Sequence, residues 1–359
     1  MFLIRADGNE KIGAGHLMRC LTIAAELAKQ GSGDEILFLC ADEQSACLAG
    51  QQGFEAFALG TDYRDMESEL PVWEKLFAER DSKTVILVDS YHVTDRYLAA
   101  LRRFGTVVLM DDMGKKPYPV DALINYNAFA DRTCYSRLYI ASTPEPADGD
   151  IGHCAGDVKQ FIGSDYVPVR EQFRDRNYCV RPKVNSVLIT TGGGDSENIA
   201  GKILETLYEE DPEYHLIVGQ FNSHLAKLKQ MEDTHENIHI HSNVTDMAEL
   251  MTSADIAVTA GGSTVYELAV LGVPLICFSY AENQEALTEY IGAQNIAGFA
   301  GAFHKSPEAV LANMGSLFRR LTSDETLRRQ YSDRERKMID GYGALRLAQA
   351  LRSLKGDML

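Results

Sequence analysis

Three glycine-rich stretches carry residue types that can do chemistry. The first is Arg5-x-Asp7-x4-Ile12-Gly13-x-Gly15-His16-x2-Arg19. It follows a short apolar run, Phe2–Ala6, and opens an amphipathic one, His16–Lys29. Glycines at 13 and 15 let the chain turn tightly and let a ligand approach the backbone. Unpaired N–H groups at the start of a helix favour negative charge. The same field disfavours an imidazolium, so a neutral His16 able to act as a base is expected there. Arg5, Asp7 and Arg19 flank the turn as candidate binding groups, and either Asp7 or Asp89 could orient His16. A plain strand–helix turn with a capping histidine is the bland alternative. The third glycine of a dinucleotide fingerprint is missing, so no nicotinamide or flavin cofactor is expected.

The second stretch is Thr190-Thr191-Gly192-Gly193-Gly194-Asp195. Gly192 and Gly193 can present backbone donors to a diphosphate. The alternative is a flexible turn capped by Asp195 or Ser196. The third is Ala260-Gly261-Gly262-Ser263-Thr264-x2-Glu267, followed by Gly272-Val273-Pro274. N–H groups at Gly262, Ser263 and Thr264 suit a phosphate, and Glu267 suits the two hydroxyls of a ribose. Glu267 could instead answer Ser263 or Thr264 in a capping box. Asn283 and Gln284, in Glu282-Asn283-Gln284-Glu285, could add hydrogen bonds to a sugar or phosphate.

Asp89-Ser90-Tyr91-His92 and Asp111-Asp112 each end an apolar run. Asp89 and Tyr91 are candidates for the ligand side, whereas Asp112 reads as a helix N-cap. His235, His239 and His241 hint at a metal, but no cysteine or carboxylate group completes a set, so a solvated strand and no metal are expected.

The elements that would position these residues alternate. Strands are expected at Phe2–Ala6, Ile36–Cys40, Phe54–Leu59, Thr84–Asp89 and Thr106–Met110, with helices near His16–Lys29, Met66–Phe77 and Asp95–Phe104. A loop-like stretch, Ser142–Gly156, follows. A second series has strands at Asn185–Thr190, Tyr214–Val218, Ile238–His241, Ile256–Thr259 and Pro274–Phe278. Its helices are Ser196–Leu207, His224–Met231, Asp246–Thr252, Thr264–Leu271 and Glu285–Ile291, and residues 306–356 read as helical. Two series of strand–helix alternation predict two Rossmann-like α/β domains facing across a cleft. Their expected bounds are 1–155, a linker at 156–184, 185–335, and a C-terminal helix at 336–359. A length of 359 residues suits two cores, since single domains stop growing near ~250–300 residues.

The formal net charge of −17 repels nucleic acid and anionic lipid. The seven cysteines are odd in number with no C-x-x-C pair, which reads as reduced thiols. Neither a signal-peptide apolar core nor a membrane-length apolar run is present in the sequence, so a cytoplasmic protein without membrane insertion is expected. Its partner would be a small molecule; oligomeric state is not indicated.

The paired series, the Gly-x-Gly-His turn and the Gly-Gly-Ser-Thr-x2-Glu start resemble the nucleotide-sugar fold called GT-B, in the MurG-like superfamily. The string from Arg5 to Arg19, with Asp89–His92, Asn125-Tyr126-Asn127-Ala128 and Asn283-Gln284-Glu285, resembles one family most. This is the UDP-2,4-diacetamido-2,4,6-trideoxy-beta-L-altropyranose hydrolase of pseudaminic acid biosynthesis. Gly8-Asn9 departs from it, because a hydroxyl-bearing residue is usual there. A spore-coat polysaccharide group shares the motifs. The resemblance implies that His16 acts on the water that attacks the anomeric carbon with inversion. It also implies that the second domain holds UDP, with Gly262, Ser263, Thr264 and Glu267 nearest. Ordinary glycosidases need two carboxylates because their leaving group is a poor alkoxide. UDP leaves as a stable anion, so one base and two anion-binding turns suffice without a metal. A UDP-sugar glycosyltransferase, a non-catalytic nucleotide-sugar binder and a sugar-nucleotide 2-epimerase are the competing readings.

Overall fold

A computed structural model describes residues 1–9, 11–31, 33–77, 84–141, 158–219 and 222–356. The expected loop at 142–156, and Cys154 within it, lie outside these residues. The chain divides into two compact units: residues 1–168 with 342–359, and residues 169–341. Among the described residues, no helix is long and apolar enough to cross a membrane.

The first unit is built on seven parallel strands. They are β1 (Phe2–Ala6), β2 (Ile36–Cys40), β3 (Glu55–Ala58), β4 (Val85–Asp89), β5 (Thr106–Met110), β6 (Ala122–Asn125) and β7 (Lys159–Ile162). Their spatial order is β3-β2-β1-β4-β5-β6-β7. β1 and β4 are buried along their whole length, as parallel strands covered on both faces must be. The helices are α1 (Gly15–Gln30), α2 (Glu43–Gln51), α3 (Leu70–Phe77), α4 (Asp95–Leu101) and α5 (Arg132–Ala141). Helix α1 buries Leu17, Leu21 and Ala24, the face expected from its sequence, and also Cys20, Ile23 and Leu27; Ala28, expected on that face, is exposed.

The second unit repeats the plan with β8 (Ser186–Thr190), β9 (Glu213–Val218), β10 (Ile238–Ser242), β11 (Ile256–Ala260), β12 (Leu275–Ser279) and β13 (Gly298–Ala302). Their order, β10-β9-β8-β11-β12-β13, is the 3-2-1-4-5-6 order of a doubly wound sheet. Helices α6 (Ile199–Leu207), α7 (Leu225–Thr234), α8 (Met247–Ser253), α9 (Ser263–Leu271), α10 (Glu282–Ala293), α11 (Pro307–Ser323) and α12 (Glu325–Met338) join or cover these strands. The last helix, α13 (Gly343–Gly356), returns to the first unit and packs on α1. There Arg352 donates to the Leu27 carbonyl at 2.8 Å, and Asp34 holds both Arg352 and Lys355.

In an open α/β sheet the ligand crevice lies at the carboxyl ends of the two strands where the order reverses. In the first unit those strands are β1 and β4, paired as far as Ala6 with Asp89. In the second they are β8 and β11, paired as far as Thr190 with Thr259. All three glycine-rich stretches therefore sit at switch points.

Five elements escape the sequence pattern. β6, β7 and β13 are only four or five residues long, and β13 (Gly-Phe-Ala-Gly-Ala) has almost no β-branched content. α2 is short, nine residues with a Ser, a Cys and a Gly among them, and α5 carries little amphipathic pattern. Strand β7 and the following 3-10 turn, Ser164–Tyr166, fall in the stretch expected to be a linker; β7 pairs with β6 as the sheet's edge.

Candidate functional site

The turn between β1 and α1 is organised by Asn9. Its side-chain oxygen accepts from the N–H groups of Lys11 and Ile12, and its amide donates to Asp42 at 2.8 Å. Gly13 follows with φ +75°, which suits glycine. Helix α1 then starts behind Ala14, which offers no side-chain cap, so its first N–H groups are not taken by a cap.

His16, in the first turn of α1, lines a cavity of about 150 Å³ with Asp7, Ile12, Tyr63, Asp89, Ser90, Tyr91 and His92. Its Nδ1 lies 2.7 Å from Oδ1 of Asp89, at the end of β4. Asp89 is buried, and burial by itself would raise its carboxyl. The Arg19 guanidinium and the His16 imidazole outweigh this and hold it well below the usual carboxylate range. An ionised carboxylate can only accept, so the contact with Asp89 favours a proton on Nδ1 and a lone pair on Nε2, against the Arg19 Nη2 donor 3.0 Å from the same Nδ1. This is the division of labour of a histidine base with an orienting acid.

Arg19, one turn further along α1, ties the cluster together. It donates to both oxygens of Asp89, to Asp112 at 2.8 and 3.0 Å, and to the Tyr126 hydroxyl at 2.7 Å. Tyr91 is about half exposed. Its ring meets His16 edge-on at 4.5 Å between centroids, and its hydroxyl donates to Asp112 at 3.0 Å.

These positions correct several expectations. Asp112 caps no helix; it is a partner of Arg19, Tyr91 and Asn127. Arg5 does not reach the cavity. It is wholly buried, donates to Glu69 through Nε and Nη2, and donates to Asp7 through Nη1 at 2.7 Å. Its work is to fix Asp7, which also accepts from the Ala41 N–H. Asp7 lines the cavity, but the acid bonded to His16 is Asp89. Arg19, expected to contact a ligand, has its donors engaged within the cluster. The sequence reading missed Tyr63 and Glu69. Tyr126 was visible only as part of the Asn125–Ala128 string.

In the second unit, Gly192 and Gly193 turn sharply at the end of β8, and their carbonyls pack on Gly219 beyond β9. A Cβ at Gly219 would meet them at 2.4–2.5 Å. Asp195 accepts from the N–H groups of Ile199 and Ala200, as the capping alternative required. At the end of β11, Gly262 is the N-cap of α9 and again offers no side chain. Ser263 and Thr264 form the first turn. Glu267 is not part of a capping box. It accepts from Arg170 at 2.8 and 3.0 Å, a residue that no sequence signal marked. Burial raises its carboxyl above the usual range, against the pull of Arg170. Asn283 is exposed at the start of α10, while Gln284 accepts from the Tyr280 N–H at 3.0 Å. His239 pairs with Glu213 and His241 with His215, and among the described residues no group could hold a metal ion.

Residues 186–296 match the glycosyltransferase family 28 C-terminal domain. Over nearly its whole length the chain superposes on MurG of Acinetobacter baumannii, with TM-score 0.62 and 13% identity, covering 98% of this chain and 99% of that one. It also superposes on the calicheamicin glycosyltransferase CalG4, with TM-score 0.67 and 13% identity, covering 99% and 98%. The fold is GT-B. Among relatives in sequence, the GT-B chain is 25% identical to the UDP-2,4-diacetamido-2,4,6-trideoxy-beta-L-altropyranose hydrolase of Campylobacter jejuni, over 80% of this chain and 95% of that protein. It is 23% identical to the spore coat polysaccharide biosynthesis protein SpsG of Bacillus subtilis, over 98% and 97%. An uncharacterised protein of Methanocaldococcus jannaschii is 24% identical over 80% of this chain, which spans only 57% of that relative's length. The relatives found include the hydrolase and the spore-coat protein whose motifs this sequence resembles.

Proposed function

We propose that this chain hydrolyses a UDP-linked acetamido deoxy sugar to UDP and free sugar, in nonulosonate biosynthesis of the pseudaminic acid type. The observation that supports this most is the 2.7 Å contact between His16 Nδ1 and the ionised Asp89 at a cavity, which orients the ring so that Nε2 can act as the base. In the step, Nε2 takes a proton from water as its oxygen bonds to the anomeric carbon. The bond from that carbon to the diphosphate breaks, and its electron pair leaves on UDP. Attack opposite the leaving group inverts the anomeric centre. The leaving group is a stable anion, so no metal is invoked; uncapped N–H groups can stabilise its charge. The sugar sits beside His16 in the first unit, and the second unit holds UDP through Gly192, Gly193, Gly262, Ser263, Thr264 and Glu267. The hydrolase name of the Campylobacter relative favours this reading.

The test is a panel of UDP-activated acetamido sugars incubated with no acceptor. Free UDP and a single anomer of inverted configuration, at a rate unaffected by a chelator, are expected. The SpsG relative, matched end to end, favours a second reading, a glycosyltransferase for a surface polysaccharide. UDP that appears only after an acceptor is added would establish that reading and end the first.

A further inference from the structure

We propose that Asp112 is a positioning residue for His16: through Arg19 it gives the cluster a second negative charge, so that the cluster becomes neutral when His16 takes up a proton. This rests on the hydrolase reading only for the use made of the proton.

The geometry is a closed ring. His16 bonds Asp89, Asp89 bonds Arg19, Arg19 bonds Asp112, Asp112 bonds the Tyr91 hydroxyl, and the Tyr91 ring returns to His16. One guanidinium therefore faces two carboxylates. With a neutral imidazole the ring carries one surplus negative charge, and a proton on Nε2 cancels it. Without Asp112, Arg19 and Asp89 would balance alone. The imidazolium would then share the single carboxylate of Asp89 with the Arg19 guanidinium, whose Nη2 is 3.0 Å from Nδ1. A base that must accept a proton during the reaction needs that surplus.

The other groups facing His16 are not bonded into its ring. Asp7, which lines the same cavity, belongs to a like group, Arg5 with Asp7 and Glu69, whose surplus negative charge has no bond to His16 and does not change with Asp112. Cys20 donates to Asp89, and burial pushes its thiol well up, so it stays neutral. Burial likewise pushes up the Tyr126 hydroxyl, which accepts from Arg19. His92 lines the cavity at the edge of Tyr63, and its charge would oppose rather than favour an imidazolium at His16.

The experiment follows the His16 ring by NMR in the full chain, without substrate, its signal assigned by loss in His16→Gln. Asp112→Asn, which keeps the side chain's shape, should move the His16 titration midpoint about one pH unit lower. The acid limb of kcat/KM should move with it. Tyr91→Phe, which breaks the ring without changing charge, should leave both within about 0.3 unit of the native protein. A folded Asp112→Asn protein with an unmoved midpoint overturns the proposal. If Asp112→Asn does not fold, Asp112→Glu decides: charge is kept, so the midpoint must stay, and a full-unit fall overturns the proposal. The titration needs no turnover. A chain that releases no UDP refutes the hydrolase reading and leaves this result standing.

Discussion

The two switch points of the molecule share a topology and differ in what they carry. At β1 and β4 the turn leads into a cluster of charge: one histidine, one arginine and two aspartates, tied over separations of 70 and 93 residues. At β8 and β11 the turns offer glycine, hydroxyl and N–H groups, with two carboxylates, Asp195 held by backbone N–H groups and Glu267 paired to Arg170. The first arrangement can move a proton. The second can hold an anion and a pair of hydroxyls but has no base poised like His16. On the proposed function, the same doubly wound plan supplies a reacting end and a holding end.

The largest effect should separate these ends. His16→Ala removes the base and should lower kcat for UDP release by about 10²–10⁴-fold. UDP affinity, measured by calorimetry, should stay within about twofold, since a residue used only in the transition state spares ground-state binding. Next in size, Glu267→Ala should weaken UDP binding about tenfold, the loss expected for a hydrogen bond to a charged group. Its kcat at saturating substrate should change little. If the two substitutions exchange phenotypes, the comparison is wrong.

The ends should also respond oppositely to acid. Asp89 is held below its ordinary value of 3.8, so its contribution to stability is complete above that value and is lost as pH falls through the folded value. Burial raises Glu267 and, well above its ordinary 4.5, Glu335. Glu335 is wholly buried and accepts from the Leu275 N–H. Their contributions are complete below 4.5 and are lost as pH rises. Acidification from neutrality should therefore stabilise the surroundings of Glu267 and Glu335 while it spares the first unit; His215 and His241, whose imidazoles burial pushes down, work the other way at β9 and β10. Below 3.8 the first should weaken, with slopes on the order of 1.4 kcal/mol per pH unit for each group. Hydrogen exchange resolved by peptide, from pH 7 to 3 and corrected for intrinsic rates, reads both. Parallel slopes around Asp89 and around the two glutamates would break the contrast.

The local halves of this picture are legible in the sequence. Strand–glycine–helix turns, the base on α1 and the hydroxyls on α9 all lie within short windows with a fixed physical meaning. The long-range halves are not. Nothing near His16 chooses Asp89 over Asp7; the choice follows from β4 lying beside β1, and strand order has no local signature. The same holds for Arg170 and Glu267. Arg5 misleads for a related reason. A charged residue beside a functional turn looks like a ligand contact until Glu69, 64 positions away, is seen to bury it. Asp112 misleads because a carboxylate after a strand usually caps a helix, and here no helix follows directly.

The smallest expected effect sharpens the holding end. Asn283 and Gln284 are neighbours at the start of α10, and the sequence gives no reason to treat them differently. Asn283 is exposed, whereas Gln284 is partly buried and accepts from the Tyr280 N–H. Asn283→Ala should therefore leave thermal stability unchanged and raise KM by no more than about threefold, the worth of one solvent-accessible hydrogen bond. Gln284→Ala strands a backbone donor and should cost about 1 kcal/mol of stability. Any change in its KM should follow from that loosening and be reversed by Gln284→Glu, which keeps an acceptor. Thermal melts beside Michaelis kinetics distinguish the two. If Asn283→Ala lowers stability and Gln284→Ala does not, α10 is anchored by the wrong residue in this account, and Gln284 becomes the ligand contact.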